Sequence, residues 1–414
     1  MSVPKLRFKD ENGQDFPDLE VKKLEEIANV ERGKFSVRPR NDPKYFGGNI
    51  PFVQTGDIVS SDLYLTKFSQ TLNEDGLKVS RLFPKDTILV TIAANIGDTT
   101  ITSFEVACTD SVVAIQALQN CAVPVWLKYA IDTKKEELDS KATQNAQRNI
   151  NLQVLRPLIF NTPTVQEQSK IANFLIAVDE KISQLMQKCE LLARYKKGVM
   201  QQVFSQELRF KDDGDGDFPD WQKDSLLNVS ESGFTNGVFN DPSKVGSGYK
   251  LINVLDMYID STIDDTKLNL VELSEDEFNR NKVKYGDTFF TRSSLVKEGI
   301  AHSNVYLGRS EDVTFDGHLI RMSPKKDLIN PMFFYYLLKN PQIRRQFVTR
   351  GKTTTMTTIG QADIATVILN FPSIKEQTKI ADFLTSIDEK ITEAQIYLDI
   401  VKQYKQGLLQ QMFV

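Results

Sequence analysis

From Pro163 to Phe204, apolar side chains recur at alternating steps of four and three: Ile171, Leu175, Val178, Ile182, Leu185, Cys189, Leu192, then Val199 and Val203, with Lys196 in step. The same alternation runs from Pro372 to Phe413 through Ile380, Leu384, Ile387, Ile391, Ala394, Leu398, Val401, Lys405, Leu408 and Met412. A seam held over about five heptads predicts a coiled-coil helix in each segment. At 1.5 Å per residue each helix is a rod roughly 60 Å long. Both segments open on S/T-x-x-E, Thr164 to Glu167 and Ser373 to Glu376. That spacing predicts a capping box, in which hydroxyl and carboxylate satisfy each other's backbone amides. The one charged seam position is lysine in both; it costs stability and fixes register. Gly198 and Gly407 lie inside the helices, where each costs about 1 kcal/mol relative to alanine, and they predict a close approach or a bend.

The two segments are copies: 18 of 42 paired positions are identical, and six of the other 24 are Ile/Val, Ser/Thr or Asp/Asn exchanges. A shorter block repeats too, "LRFKDENGQDFPD" from Leu6 and "LRFKDDGDGDFPD" from Leu208. The chain therefore reads as a lead (1–20), a variable insert (21–160), a long helix (161–207), a second lead (208–220), a second insert (221–370) and a second helix (371–414). "QQVFSQELRF" joins first helix to second lead, and linking "LQQMFV" to "PKLRF" would recreate it. Internal repetition of this kind marks a repeated architecture. It predicts neighbouring termini, an approximate twofold axis and antiparallel pairing of the two helices within one chain. A four-helix bundle or a homodimeric coil is the alternative.

Each insert has the length of a domain. Short apolar runs, "DTILVTIAA" and "SVVAIQAL" in the first and "DTFFTR" and "HLIRMS" in the second, predict strands. "PVWLKYAIDTKKEEL" and "NPMFFYYLLKNPQIRRQF" predict helices. The fold class is α/β (α+β): two mixed domains with mainly antiparallel strands, separated by the two long helices. "TIAANIGDTT" and "TRSSLVKEGIA" fall at equivalent places after a strand, and "TQNAQRNIN" and "TTTMTTIGQ" just before the final strand, which favours a shared role in binding or in packing.

Composition narrows the chemistry. Hydrophobic residues make up 40% and charged residues 26%, as in soluble globular proteins. No apolar run suggests a membrane span and the first residues lack the apolar core of a signal peptide, so a cytoplasmic protein is expected. Cys108, Cys121 and Cys189 read as reduced thiols. With two histidines in the chain, a histidine-rich metal site is excluded. There is no phosphate-binding G-x-x-x-x-G-K-[ST] loop, no glycine-rich cofactor loop and no Asn/Asp-Pro-Pro-aromatic tetrad for amine methylation, so no catalytic or metal residues are assigned.

The net charge of −4 argues mildly against binding nucleic acid by charge alone. The inserts are near neutral, with 17 basic and 16 acidic residues over 21–160 and 18 of each over 221–370. Any DNA surface must then be local. The candidates are Arg32, Lys34, Arg38, Arg40, Lys44 and Arg148 in the first insert, and Lys244, Arg292, Lys297, Arg344, Arg345, Arg350 and Lys352 in the second. Such cations neutralise phosphates, while Arg, Gln and Asn reach base edges; ordinary solvated charge is the alternative for each. Off the seam, the repeated Glu167, Lys170, Asp179, Lys181 and Tyr195, with Glu376, Lys379, Asp388, Lys390 and Tyr404, are candidates for two equivalent docking surfaces. Simple duplication of solvated faces would leave the same identities.

The repeated leads, the paired "EQSKIANFLIAVDEKI" and "EQTKIADFLTSIDEKI" and the dissimilar inserts together resemble the specificity subunit of type I restriction–modification systems, across essentially the whole chain. The resemblance implies two target recognition domains, each reading half of a split site in double-stranded DNA, with the helices as spacer. It implies two methyltransferase (modification) subunits docked on the helices, and restriction or motor subunits that join them. It places S-adenosylmethionine, ATP and Mg in those partners, no cofactor in this chain, and no part in a membrane. A coiled-coil adaptor with two ligand-binding domains and no DNA role is the alternative.

Overall fold

A computed structural model describes residues 4–142, 149–239 and 242–413 of the chain. The chain forms two compact units, Met1–Lys188 with Ala394–Val414, and Cys189–Glu393. Each long helix is continuous, Val165–Phe204 and Ile374–Phe413, and so contributes one half to each unit.

In the first unit a five-stranded sheet has the order Ala28–Arg32, Val112–Ala117, Ile88–Thr91, Thr99–Thr102, Tyr64–Leu65. Its pairs are antiparallel except the last. In the second unit Ser230–Asn236, Leu319–Pro324, Thr288–Thr291 and Ser303–Val305 follow the same order, all antiparallel. The runs expected as strands are these central ones. Their near-continuous burial explains why they read as apolar runs rather than alternations.

Each unit carries a further sheet that the hydrophobic pattern does not reveal. In the first, Phe46–Val53 lies antiparallel to Gln70–Leu72 and parallel to Val106–Cys108. In the second, Val245–Ile252 lies antiparallel to Asn269–Val271 and parallel to Val313–Phe315. Both central strands break register, between Phe46 and Ile50 and between Val245 and Tyr249. Glycines sit at both breaks; a Cβ on Gly48 or Gly248 would lie 2.4 Å from the facing carbonyl of Leu72 or Val271. Each insert is closed at its base by a two-stranded ribbon, Glu20–Lys23 with Ile159–Thr162 and Gln222–Ser225 with Ile368–Phe371.

The helix seams are filled within the chain. Ile171, Leu175 and Val178, at the start of the first helix, share a core with Leu408 and Met412, at the end of the second. Val199 and Val203, at the end of the first, share another with Ile380, Leu384 and Ile387, at the start of the second. Start packed with end, twice, is antiparallel intramolecular pairing. The repeat extends to single bonds: Leu6 N donates to Gln411 O at 3.0 Å, and Leu208 N donates to Gln202 O at 3.0 Å. The two ends of the chain thus meet as the middle junction does. A Cβ on Gly198 or Gly407 would find nothing within 4 Å, so the expected close approach at these glycines is not found.

Candidate nucleic-acid interface and docking surfaces

The repeated lead forms a small turn braced by one aspartate. Asp10 Oδ1 accepts from Asn12 N and Gln14 N, both at 2.8 Å, and Asp212 Oδ1 from Gly214 N at 2.9 Å and Gly216 N at 2.7 Å. The turn presents an arginine to the adjacent helix start. Arg209 Nε and Nη2 donate to Glu376 Oε1 and Oε2 at 3.0 and 2.9 Å; Arg7 donates to Glu167 at 3.1 and 2.5 Å. Such forked pairs are among the stronger charge-assisted contacts, and both glutamates are buried, Glu376 at 0% and Glu167 at 1% exposure. The carboxylate half of the expected capping box therefore goes to an arginine distant in sequence. Of the hydroxyl half, Thr164 Oγ1 accepts from Glu167 N at 3.3 Å, whereas the buried Ser373 Oγ has no partner. Lys170 and Lys379 donate to the lead carbonyls of Lys9 and Lys211 at 2.7 and 2.8 Å.

A second repeated cluster explains the seam lysines. Lys405 pairs with Asp179 Oδ1 at 2.5 Å, while the Tyr129 hydroxyl donates to the other oxygen of that carboxylate. Lys196 pairs with Asp388 Oδ1, and Tyr336 donates to Asp388 Oδ2 at 2.7 Å. Both ammonium groups also lie over the ring of the same tyrosine, at 5.0 and 5.3 Å. Burial, reinforced by the carboxylate, pushes both phenols up, so they stay protonated as donors. Each charged seam residue thus finds its partner only in the antiparallel register.

Of the ten candidate docking residues, Glu167, Asp179, Glu376 and Asp388 are engaged inside the chain, and Lys170 and Lys379 hold the leads. Lys181 and Lys390 are exposed, Lys181 with its ammonium 5.5 Å from the Tyr397 ring centre. Tyr195 and Tyr404 are 53% and 56% exposed. One turn before each lies another exposed apolar residue, Leu191 and Ile400, giving the same small apolar face on both helices.

The candidate cations divide similarly. Arg32, Lys34, Arg38, Arg40 and Lys44 are all exposed. Arg32 Nε donates to Asp110 O at 2.5 Å and Arg40 Nη2 to Asp110 Oδ2 at 2.7 Å, so these two of the run meet at Asp110, while Lys44 pairs with Asp42. Arg148 lies outside the described residues. In the second unit Lys244, Arg292, Lys297, Arg345 and Lys352 are exposed. Arg344 turns inward, donating to the carbonyls of Ala301, Ile300 and Glu298 at 2.5, 2.6 and 3.0 Å. Arg350 likewise donates to Thr366 Oγ1, Thr366 O and Gln346 O at 2.8, 3.1 and 3.1 Å. The recurring loops meet each other in both halves: Ala93 bridges Asn149, and Ser293 and Ser294 pair with Thr358 and Thr357.

Sequence reasoning missed a pair of clefts at matching places beyond the ends of the glycine-broken strands. The first, about 240 Å³, is lined by Arg40, Asn41, Gln54, Gln70 and Asp110 over Phe35 and Phe52. The second, about 430 Å³, has Asn253, Asn269 and Asp316 beside Leu251 and Leu255. The frame is shared: Gln54 N donates to Asp57 Oδ2 at 2.8 Å, and Asn253 N to Asp256 Oδ2 at 2.7 Å. The linings differ in side-chain size and polarity.

Residues 17–192 and 246–400 match the family model described as the type I restriction modification DNA specificity domain. A chain assigned as the specificity subunit of the type I restriction enzyme MjaX of Methanocaldococcus jannaschii is 26% identical over 213 residues, 51% of this chain and 49% of that relative. The EcoBI specificity subunit of Escherichia coli is 24% identical over 301 residues, 64% of this chain and 60% of its own length. The match thus spans about half the length of the first relative and three-fifths of the second. The crystal structure of the S subunit of the type I restriction–modification system from M. genitalium has a TM-score of 0.57 at 15% identity, covering 100% of this chain and 99% of that one. Among the described residues no helix is long and apolar enough to cross a membrane. With both halves matched by the family model, and the repeat, the paired helices and the two mixed domains in place, the chain belongs to the type I restriction–modification DNA specificity family.

Proposed function

We propose that this chain is the DNA-recognition subunit of a type I restriction–modification complex. Its two recognition domains, residues 21–160 and 221–370, each read one half of a bipartite site in double-stranded DNA. The paired helices set the distance between the half-sites and dock two methyltransferase subunits, at the matching apolar faces of Leu191 and Tyr195 and of Ile400 and Tyr404. Restriction subunits join that assembly, and S-adenosylmethionine, ATP and Mg act in the partners while this chain supplies recognition only. The observation that carries the reading is one backbone frame built twice with different side chains in its clefts, as expected of two readers of two sequences. The exposed cations Arg32, Lys34, Arg38, Arg40 and Lys44, and Lys244, Arg292, Lys297, Arg345 and Lys352, supply phosphate contacts in otherwise neutral domains.

Deleting the gene and mapping methylated adenines across the host genome tests this. One bipartite motif should lose methylation completely; an unchanged set of motifs would contradict the reading. The spacing role has its own test. A heptad added after Cys189, matched by one after Glu393, preserves the seam and lengthens the rod by about 10 Å. The spacer should grow by about three base pairs, and an unchanged spacer would refute a ruler.

A further inference from the structure

The two clefts share a frame and differ in chemistry. In the first, Gln54 Nε2 donates to Gln70 Oε1 at 2.6 Å. The bonded pair still offers the Gln54 amide oxygen as acceptor and the Gln70 amide nitrogen as donor; exchanging oxygen and nitrogen in both amides swaps these roles between the two residues and again leaves an acceptor and a donor. A donor beside an acceptor complements the major-groove edge of adenine, which offers N7 as acceptor and the N6 amino group as donor. Arg40 neutralises the Asp110 carboxylate at the rim, so the cleft does not repel a phosphate backbone. In the second cleft two shorter amides, Asn253 and Asn269, accompany Leu255, which is 81% exposed. At the corresponding place in the first frame stands Gly56, one residue before the capping Asp57 as Leu255 is before Asp256, and a Cβ there would face open space. An exposed leucine beside amides suits a thymine methyl group.

We propose that these clefts are base-reading sites, the Gln54–Gln70 pair taking an adenine edge in one half-site and Leu255 a thymine methyl in the other. This rests on the DNA-reading role proposed above and assigns specificity to residues outside the cationic runs. The test uses the chain in complex with its methyltransferase subunits, with methylation measured on DNA substituted at each position of the motif. Gln70 is exposed and its side chain has the one described bond, to Gln54, so Gln70→Ala leaves the fold intact, which an unchanged melting temperature confirms. Gln70→Ala should raise methylation of DNA altered at one adenine position of one half-site by about ten- to a hundredfold relative to the parental motif, the loss of one bidentate pair. Leu255→Ala should relax a single thymine position in the other half-site only. Retention of the parental preference at every position by both folded variants would overturn the assignment. So would a uniform loss of methylation on all sequences, which marks a phosphate contact. If the parental complex itself shows no bipartite preference, the DNA-reading role fails, and this assignment with it.

Discussion

Glu376→Ala should destabilise the second unit by about 3 kcal/mol, near the lower end of what removing one partner of a buried ion pair costs. The carboxylate is buried, while Arg209 keeps about a quarter of its side-chain surface in water, which places the effect at the lower end. The substitution strips Arg209 of both carboxylate bonds and leaves its contacts to Pro219 O at 2.9 Å and Phe218 O at 3.2 Å. The second lead is then held mainly by Lys379 and by the edge-to-face contact of Phe210 with Phe383, 5.6 Å between ring centres. Glu167→Ala should act equally on the first unit, where Phe8 and Phe174 make the same contact at 5.7 Å. Urea denaturation followed by the fluorescence of Trp126 and Trp221, one in each unit, reads this out. Each substitution should shift the transition of its own unit, with the tryptophan of that unit reporting it when the other is replaced by phenylalanine. A loss below about 0.5 kcal/mol for both would show that the forked pairs behave as ordinary surface ion pairs.

What the sequence made legible follows a physical rule. The heptad seam was readable throughout because burial along a helix is periodic, and every seam position from Ile171 to Val203 and from Ile380 to Met412 is buried or half-buried. The antiparallel pairing was readable because the repeat is circular. Contacts made across long sequence separations were not. Thr164 and Glu167 have the spacing of a local capping box, but Arg7, 160 positions away, outcompetes the backbone amide for the carboxylate. Identities such as Asp179 and Asp388 read as shared surface and are half-buried contacts between the helices, because each satisfies a lysine of the opposite helix. Arg344 and Arg345 are adjacent cations in one run, yet consecutive residues of a helix point about 100° apart, and only Arg345 is exposed. The first cleft draws its lining from four separated segments around residues 40, 54, 70 and 110, the second from segments around 245–256, 270 and 316, and no short window along the chain contains either. The glycine-broken strands that carry them show neither alternation nor an unbroken apolar run, so "FGGNIPFV" does not announce a strand.

One exchange tests the central claim, that two dissimilar readers sit on one repeated frame. Residues 221–370 enter and leave through the antiparallel ribbon of Gln222–Ser225 and Ile368–Phe371, and their Phe333, Tyr336 and Leu337 pack in one core with Ile380 and Leu384 of the helix, so the replacing insert is one closed by the same ribbon that also keeps these helix contacts. Methylated adenines are then mapped in cells carrying the hybrid chain with its methyltransferase subunits. One half of the recognised sequence should change completely, while the other half and the spacer stay as in the parent. A hybrid that alters both halves, or that leaves both unchanged while still directing methylation, would contradict the account.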